Sequence, residues 1–233
     1  MNAIITGASK GIGRAIACLL AEKGFDLIVC ARGKKGLDDL EKEISQINPK
    51  IKFHSLQVDL GTTEGAEAFG RFCLEVCPSI DILINNAGIF IPGEIHKEEP
   101  GLLEKLIQTN LFSAYHLTKA LLPKMIRDQH GHIFNMCSVA SIQAYPNGGS
   151  YSISKFALLG LTKVLREELK EKGIKVTAII PGATWSDSWQ GVELPETRLM
   201  EARDIALSIL NAFQLSPQAV VEEIILRPIL GDL

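Results

Sequence analysis

The stretch "TGASKGIGRAIA", residues 6–17, follows an apolar run at 2–5 and opens a segment of helical period. Gly7, Gly11 and Gly13 occupy the connection, where a tight turn and a close approach of other groups call for residues without a side chain. The amides and dipole at the start of the following helix favour negative charge, so a strand, a glycine turn and a helix in that order suit a pyrophosphate. Ser9, Lys10 and Ile12 lie in the same turn and join the glycines as candidate phosphate contacts. The spacing is G-x-x-x-G-x-G, not G-x-G-x-x-G, so the turn alone leaves a purely structural role open. Its flanks nevertheless fix the first half of a βαβ unit.

Working outward, short runs rich in Val, Ile and Leu alternate with longer segments of helical period, the pattern of parallel strands buried on both faces. Strands are expected near 2–6, 26–31, 52–58, 80–85, 132–137, 175–180 and 223–227, and helices near 12–23, 35–47, 63–76, 102–127, 150–172 and 201–213. Lys23-Gly24 and Lys172-Gly173 read as helix ends, and Asn48-Pro49 as another. The expected fold is α/β, a doubly wound parallel seven-stranded sheet in a three-layer αβα sandwich, with residues 1–233 as one domain. Residues 181–199, with Pro181, Gly182, Trp185, Trp189 and Pro195, lack a clear period and read as a substrate loop.

Bulk properties narrow the function. The chain is 46% hydrophobic and 22% charged, as in ordinary globular proteins, and its formal net charge of −3 gives no reason to expect a nucleic-acid partner. No apolar run reaches 18 residues and no basic leader follows Met1, so a cytoplasmic protein without a membrane role is expected. The five cysteines read as reduced core thiols. Cys73 and Cys77 have helical spacing, and His130 and His132 flank Gly131, but neither pair has the partners a metal site needs, so no metal is expected.

Two further positions bear on the ligand. At the end of the second strand, "VCARGKK" places Arg32 where an acid would hold ribose hydroxyls in an NAD site, and Lys10 adds a second cation. That pair favours a 2′-phosphate, hence NADP(H) over NAD(H). The pentapeptide "YSISK", 151–155, sets Tyr151 and Lys155 one helical turn apart, so an ammonium can act on whatever lies beside a phenol. Ser138 closes the fifth strand, "NNAG" at 85–88 closes the fourth, and ligands of open parallel sheets bind beyond those strand ends.

Taken together, these motifs resemble the short-chain dehydrogenase/reductase family, the branch with one Rossmann-like domain. The matching residues are Thr6, Gly7, Gly11 and Gly13; Asp59-Leu60; Asn85 to Gly88; Asn110; Ser138; Tyr151-x-x-x-Lys155; and Pro181-Gly182, in the family's order. The resemblance implies strand order 3-2-1-4-5-6-7, a nicotinamide cofactor and a catalytic tetrad of Asn110, Ser138, Tyr151 and Lys155. It also implies that Asp59 and Leu60 flank the adenine and that Asn86, Ala87 and Gly88 line the cofactor groove. Tyr151 and Lys155 would meet the nicotinamide ribose, and Pro181, Gly182 and Thr184 the ring. Many relatives carry threonine where this chain has Ser186. As in the family, the helices at 102–127 and 150–172 would pair subunits into a homodimer or homotetramer.

The chemistry expected is NADPH-dependent transfer of a hydride between nicotinamide and a small-molecule ketone, aldehyde or secondary alcohol. Tyr151 would be the proton donor, Lys155 and the positive charge of the oxidised nicotinamide would each lower its pKa, and Ser138 would bind the substrate oxygen; the resemblance further implies that Asn110 holds a relay water. The resemblance is compatible with 3-oxoacyl-thioester, sepiapterin-type, sugar, hydroxysteroid and general carbonyl reductases. Phe90, Ile142 and the two tryptophans suggest an apolar substrate pocket. Competing expectations are a catalytically idle dinucleotide-binding redox sensor or scaffold and, less compatible with the chain's length, an epimerase or dehydratase.

Overall fold

The computed structural model describes residues 1–186 and 193–232. Seven strands, β1 (Asn2–Thr6), β2 (Asp26–Ala31), β3 (Phe53–Gln57), β4 (Ile82–Asn85), β5 (His132–Met136), β6 (Lys175–Pro181) and β7 (Glu223–Leu226), form one sheet. All neighbouring strands run parallel, in the order β3-β2-β1-β4-β5-β6-β7. The helices are α1 (Gly11–Glu22), α2 (Lys34–Ile47), α3 (Thr63–Val76), α4 (Leu102–Ile107), α5 (Ser113–Asp128), α6 (Gly149–Leu169) and α7 (Ala202–Phe213). This is the doubly wound αβα architecture expected from the alternating pattern.

Side-chain alternation along the strands divides the interior into two layers. Ala3, Ile5, Leu27, Val29, Ile82, Ile84, Phe134 and Ile179 pack with α1, α2 and α7. Ile4, Ile28, Leu83, Ile133 and Val176 point the other way, against Phe69 of α3, Leu117 and Leu121 of α5, and Leu165 of α6. Because both faces are covered, the central strands are mostly apolar and read as nearly unbroken runs, and their buried polar residues, such as Asn85 and Asn135, are hydrogen-bonded.

The helix expected over 102–127 differs in one respect. A π-helical turn, Gln108–Phe112, separates α4 from α5 and carries Asn110. A turn with wider hydrogen bonding accommodates an extra residue and re-aims the side chains it holds. Here it directs Asn110, only 1% exposed, toward the loop after β4 and toward α6.

At the opposite end of the sheet, His132 is buried and stacked on Phe134 with ring centroids 3.9 Å apart. Its Nε2 lies 2.7 Å from Thr177 Oγ1, while the Thr177 hydroxyl donates to Val221 O at 2.6 Å. The single threonine proton is thus committed, so Nε2–H must be the donor and Nδ1 is the bare nitrogen; Nδ1 is buried without a hydrogen-bond partner among the described residues. Burial, with a smaller contribution from the nearby Lys175 charge, pushes its pKa down to about 3. An unfolded imidazole takes its proton near pH 6.5, so this group's contribution to stability is complete above that pH and is lost as pH falls toward 3. We expect wild-type stability to decline across that window and His132→Phe to flatten the decline; denaturant melts at pH 4 and pH 7 check it, and an equal decline in both proteins would contradict it.

Candidate active site

The carboxyl ends of the strands enclose a cavity of about 890 Å³. Thr6, the last residue of β1, ties it to β4: its Oγ1 accepts from the amides of Asn86 at 2.9 Å and Ala87 at 2.8 Å and donates to Ile84 O at 3.3 Å. Asn86 returns the link, its Nδ2 donating to Thr6 O and Gly7 O at 3.0 and 3.1 Å. This cross-tie sits between β1 and β4, where the winding of the sheet reverses and open α/β sheets form their binding crevice.

The glycine turn follows from the same packing. Gly7 has φ +64° and Gly11 φ +54°, conformations that side chains disfavour, and a Cβ on Gly7 would stand 3.1 Å from Ala87 Cα and Asn86 Nδ2. Gly13 does not line the cavity; a Cβ there would collide with Gly7 O and the Asn86 amide, so its role is to let α1 approach the turn. Gly36 does the same for α2, where a Cβ would stand 2.8 Å from Ser9 Cβ. That approach brings Arg32 and Lys10 to the same cavity, with Gly7, Ser9, Gly11 and Ile12.

Beyond this end, Asp59 and Leu60 line the wall, the Asp59 Oδ1 accepting from Gly61 N at 2.9 Å. Asn86, Ala87 and Gly88 form the floor, and Pro181, Gly182 and Thr184 the far side. Thr184 Oγ1 donates to Gly182 O at 3.0 Å, and its segment is pinned by Trp185 N to Met200 O at 2.9 Å and Met200 N to Ala183 O at 3.1 Å. Both ends of the expected 181–199 loop are thereby joined; Trp189 falls outside the described residues. Of Phe90, Ile142 and Trp185, only Phe90 lines the cavity.

Ser138, Tyr151 and Lys155 meet in this cavity. Ser138 ends the run after β5 and starts a short turn, its Oγ accepting from Ala140 N at 3.2 Å. Tyr151 and Lys155 share one face of α6, with Nζ 5.8 Å from the phenol centroid. Lys155 is 6% exposed and donates to Met136 O at 2.8 Å. Asn110 does not line the cavity; it stands behind it, its Oδ1 accepting from Ile89 N at 2.8 Å and its Nδ2 donating to Ile89 O at 3.0 Å and Ser154 Oγ at 2.9 Å.

The electrostatics correct one expectation. Burial raises the Tyr151 pKa, and the hydrogen bond with Ser138 only partly offsets this. Burial also lowers Lys155, to about 8. Placing an ammonium one turn from a phenol does not by itself favour the phenolate when both sit in a poorly solvated wall, because each charged form pays for lost hydration. In this state the phenol keeps its proton.

Among the cavity residues with no counterpart in the expected set are four polar ones at its outer end: Gln143, Tyr145, Arg227 and Asp232. Arg227 reaches Asp232 at 2.8 Å and Gln143 Oε1 at 3.3 Å, and Arg198 holds the Gly231 carbonyl at 2.9 Å, folding the segment after β7 back over Gly182. The only sequence signal was a pair of opposite charges five residues apart beyond the last strand. Among the described residues no cluster of His, Cys, Asp or Glu could hold a metal, and no helix is long and apolar enough to cross a membrane.

Comparison with known proteins agrees with this geometry. A sequence model described as short chain dehydrogenase matches residues 1–196. An uncharacterized oxidoreductase of Staphylococcus aureus strain USA300 is 29% identical over 227 residues, 97% of this chain and 96% of that one. Among solved structures, a metagenomic short-chain oxidoreductase in complex with NADP is 31% identical with a TM-score of 0.84, covering 98% of this chain and 96% of that one. An alcohol dehydrogenase of the archaeon Thermococcus sibiricus, complexed with 5-hydroxy-NADP, is 27% identical with a TM-score of 0.89 over the same shares of the two chains. On its motifs, its sheet and these matches, the chain belongs to the short-chain dehydrogenase/reductase family of oxidoreductases.

Proposed function

We propose that the protein is an NADPH-dependent carbonyl oxidoreductase acting on a small ketone or aldehyde and the corresponding secondary alcohol. The observation that carries this reading is the convergence of Ser138, Tyr151 and Lys155 on one cavity with a glycine turn and two cations, Lys10 and Arg32. The cavity, at about 890 Å³, is within the size range of ligand sites, and the Gly7 cradle is one that a Cβ would fill. These residues fit a dinucleotide phosphate. The amides of the 7–13 turn and the start of α1 would hold the pyrophosphate, with Asp59 and Leu60 flanking the adenine, Arg32 and Lys10 taking the 2′-phosphate, and Lys155 the nicotinamide ribose.

When bound, the nicotinamide supplies the hydride. The protein supplies orientation and a proton. Ser138 donates a hydrogen bond to the carbonyl oxygen, where negative charge develops, a contribution of roughly 2.7–4 kcal/mol for a preorganised donor. Tyr151 gives its O–H proton to that oxygen. The burial that raises the phenol's pKa keeps it protonated, and so loaded as an acid for the reducing direction. Lys155, with its pKa brought down to about 8, can return a proton near neutral pH. Phe90 packs edge-on against Tyr151, with ring centroids 4.8 Å apart.

The uncharacterized Staphylococcus relative leaves the substrate open, and Phe90, Tyr145 and Val139 beside Gln143 and Arg227 favour a carbonyl compound with both apolar and polar parts. Five free thiols, four of them buried, suit a reducing compartment, and we place the reaction in the cytoplasm.

Three outcomes are expected. Tyr151→Phe should retain NADPH binding within a fewfold and lose turnover by a hundredfold or more in an NADPH-absorbance assay with a carbonyl panel; substantial residual rate would remove Tyr151 as the acid. Arg32→Asp should weaken NADPH at least tenfold more than NADH, and equal weakening would remove the phosphate-reading role. Phe112, Tyr115 and Ile126, with Ile153, Phe156 and Val164 of α6, leave an apolar face 36–54% exposed, which we read as the subunit interface of a homodimer or homotetramer. Sedimentation equilibrium should then give two or four times 25.4 kDa, and a monomer at micromolar concentration would refute it.

A further inference from the structure

Tyr151 is the second residue after Gly149, where α6 begins, and the first turn of a helix has amides with no partner inside the helix. No side chain of the preceding residue caps α6. The partner comes from 52 residues away: Glu98 Oε1 accepts from Ser150 N at 2.8 Å, and Oε2 accepts from the Ser150 hydroxyl. A carboxylate at this end of a helix is favourable, and two hydrogen bonds to one residue fix position as well as energy.

The carboxylate sits in a socket made by glycines. A Cβ on Gly149 would collide with Glu98 Oε1 and Gly93 O, and one on Gly93 would stand 3.1 Å from Glu98 Cγ. Backbone closes the same seam, with Gly93 N donating to Asn147 O at 2.9 Å and Asn147 turned to φ +61°. One turn further along α6, Ser154 Oγ donates to Tyr151 O at 2.7 Å and accepts from Asn110 Nδ2 at 2.9 Å. Two segments therefore grip α6 at two serines, Glu98 of the β4–α4 connection immediately before Tyr151 and Asn110 of the π-turn three residues after it, while Phe90 of that connection rests on the phenol ring.

We infer that Glu98 is a positioning residue for the reaction: through Ser150 it sets where Tyr151 stands relative to Ser138 and the carbonyl oxygen. The inference rests on the proposed function, since it concerns the same acid. Loss of the clamp lets the first turn of α6 fray and moves the proton donor without touching the glycine turn or Arg32. A misplacement of this kind lowers the rate of the chemical step rather than the affinity for NADPH.

The test is a mutant cycle on the full chain. Glu98→Ala is expected to lower kcat at least tenfold with the KM for NADPH within twofold of wild type. Glu98→Gln, which can accept from Ser150 N and donate to Ser150 Oγ, should recover kcat to within about threefold. Ser150→Ala should cost less than Glu98→Ala and nothing further when added to it, because both act on one contact. Hydrogen exchange at the Ser150 amide, measured in the folded proteins, should accelerate at least tenfold in Glu98→Ala and return toward wild type in Glu98→Gln. A Glu98→Ala enzyme with kcat within twofold of an active wild type, or losses that multiply in the double variant, would overturn the inference and leave the reductase reading intact. A wild type that reduces no carbonyl would instead overturn the reductase reading, while unaltered Ser150 exchange in Glu98→Ala would overturn the clamp by itself.

Discussion

A lysine ammonium buried to 6% exposure, with one hydrogen bond from Nζ to the Met136 carbonyl, is the constraint around which the site is arranged. Its pKa, brought from 10.5 to about 8, corresponds to roughly 3 kcal/mol of unfavourable burial for the charged form. A fold does not carry such a group without compensation. The proposed reaction gives a functional reason for keeping it: the amine lies on the same helix face as the Tyr151 phenol, in the cavity where it can return a proton and hold a ribose hydroxyl. Tyr151 next to it shows the complementary effect, its neutral form favoured by the same burial.

Holding that pair requires rigidity behind it, and the sheet supplies it. Asn85 Nδ2 donates to Thr118 Oγ1 and Asn135 Oδ1 at 3.0 and 2.7 Å, and Asn135 Nδ2 donates to Thr162 Oγ1 at 2.9 Å. This buried chain of amides and hydroxyls connects α5, β4, β5 and α6 directly beneath the cavity. Low surrounding polarity strengthens each bond and penalises any partial break, so the network specifies one relative placement of α6 and the sheet. The Thr6 and Asn86 cross-tie does the same for the glycine turn. The two halves of the cavity, the glycine turn and the Ser138, Tyr151 and Lys155 group, are thus fixed to a common frame.

Much of this was legible from residue order because the controlling physics is local. Strands covered on both faces are mostly apolar, so short runs rich in Val, Ile and Leu mark them, and the positive-φ turn at Gly7 and Gly11 needs glycine whatever its ligand. Tyr151 and Lys155 share a face by helical geometry alone. What escaped depends on depth and on distant partners. In "HKEEPG", Glu98 looks like one more surface acid; only the cavity between Gly93 and Gly149 makes it a helix clamp. The π-turn at Gln108–Phe112 has no mark in a continuous helical period, and Arg227 and Asp232 meet only because the segment after β7 doubles back. The state of Tyr151 in the free protein is hidden for a related reason: spacing reveals the neighbouring cation but not the burial that raises the phenol's pKa.

The central claim is that Tyr151 is a half-buried acid whose proton becomes easy to release only when a cationic ring lies beside it. With three tyrosines in the chain, ¹³Cζ-tyrosine NMR can follow each phenol through a pH titration with and without NADP⁺. The account predicts that Tyr151 titrates above the ordinary tyrosine range in the free protein and at least one unit lower once NADP⁺ is bound. A Tyr151 resonance that titrates normally in the free protein, or whose midpoint ignores NADP⁺, would contradict it.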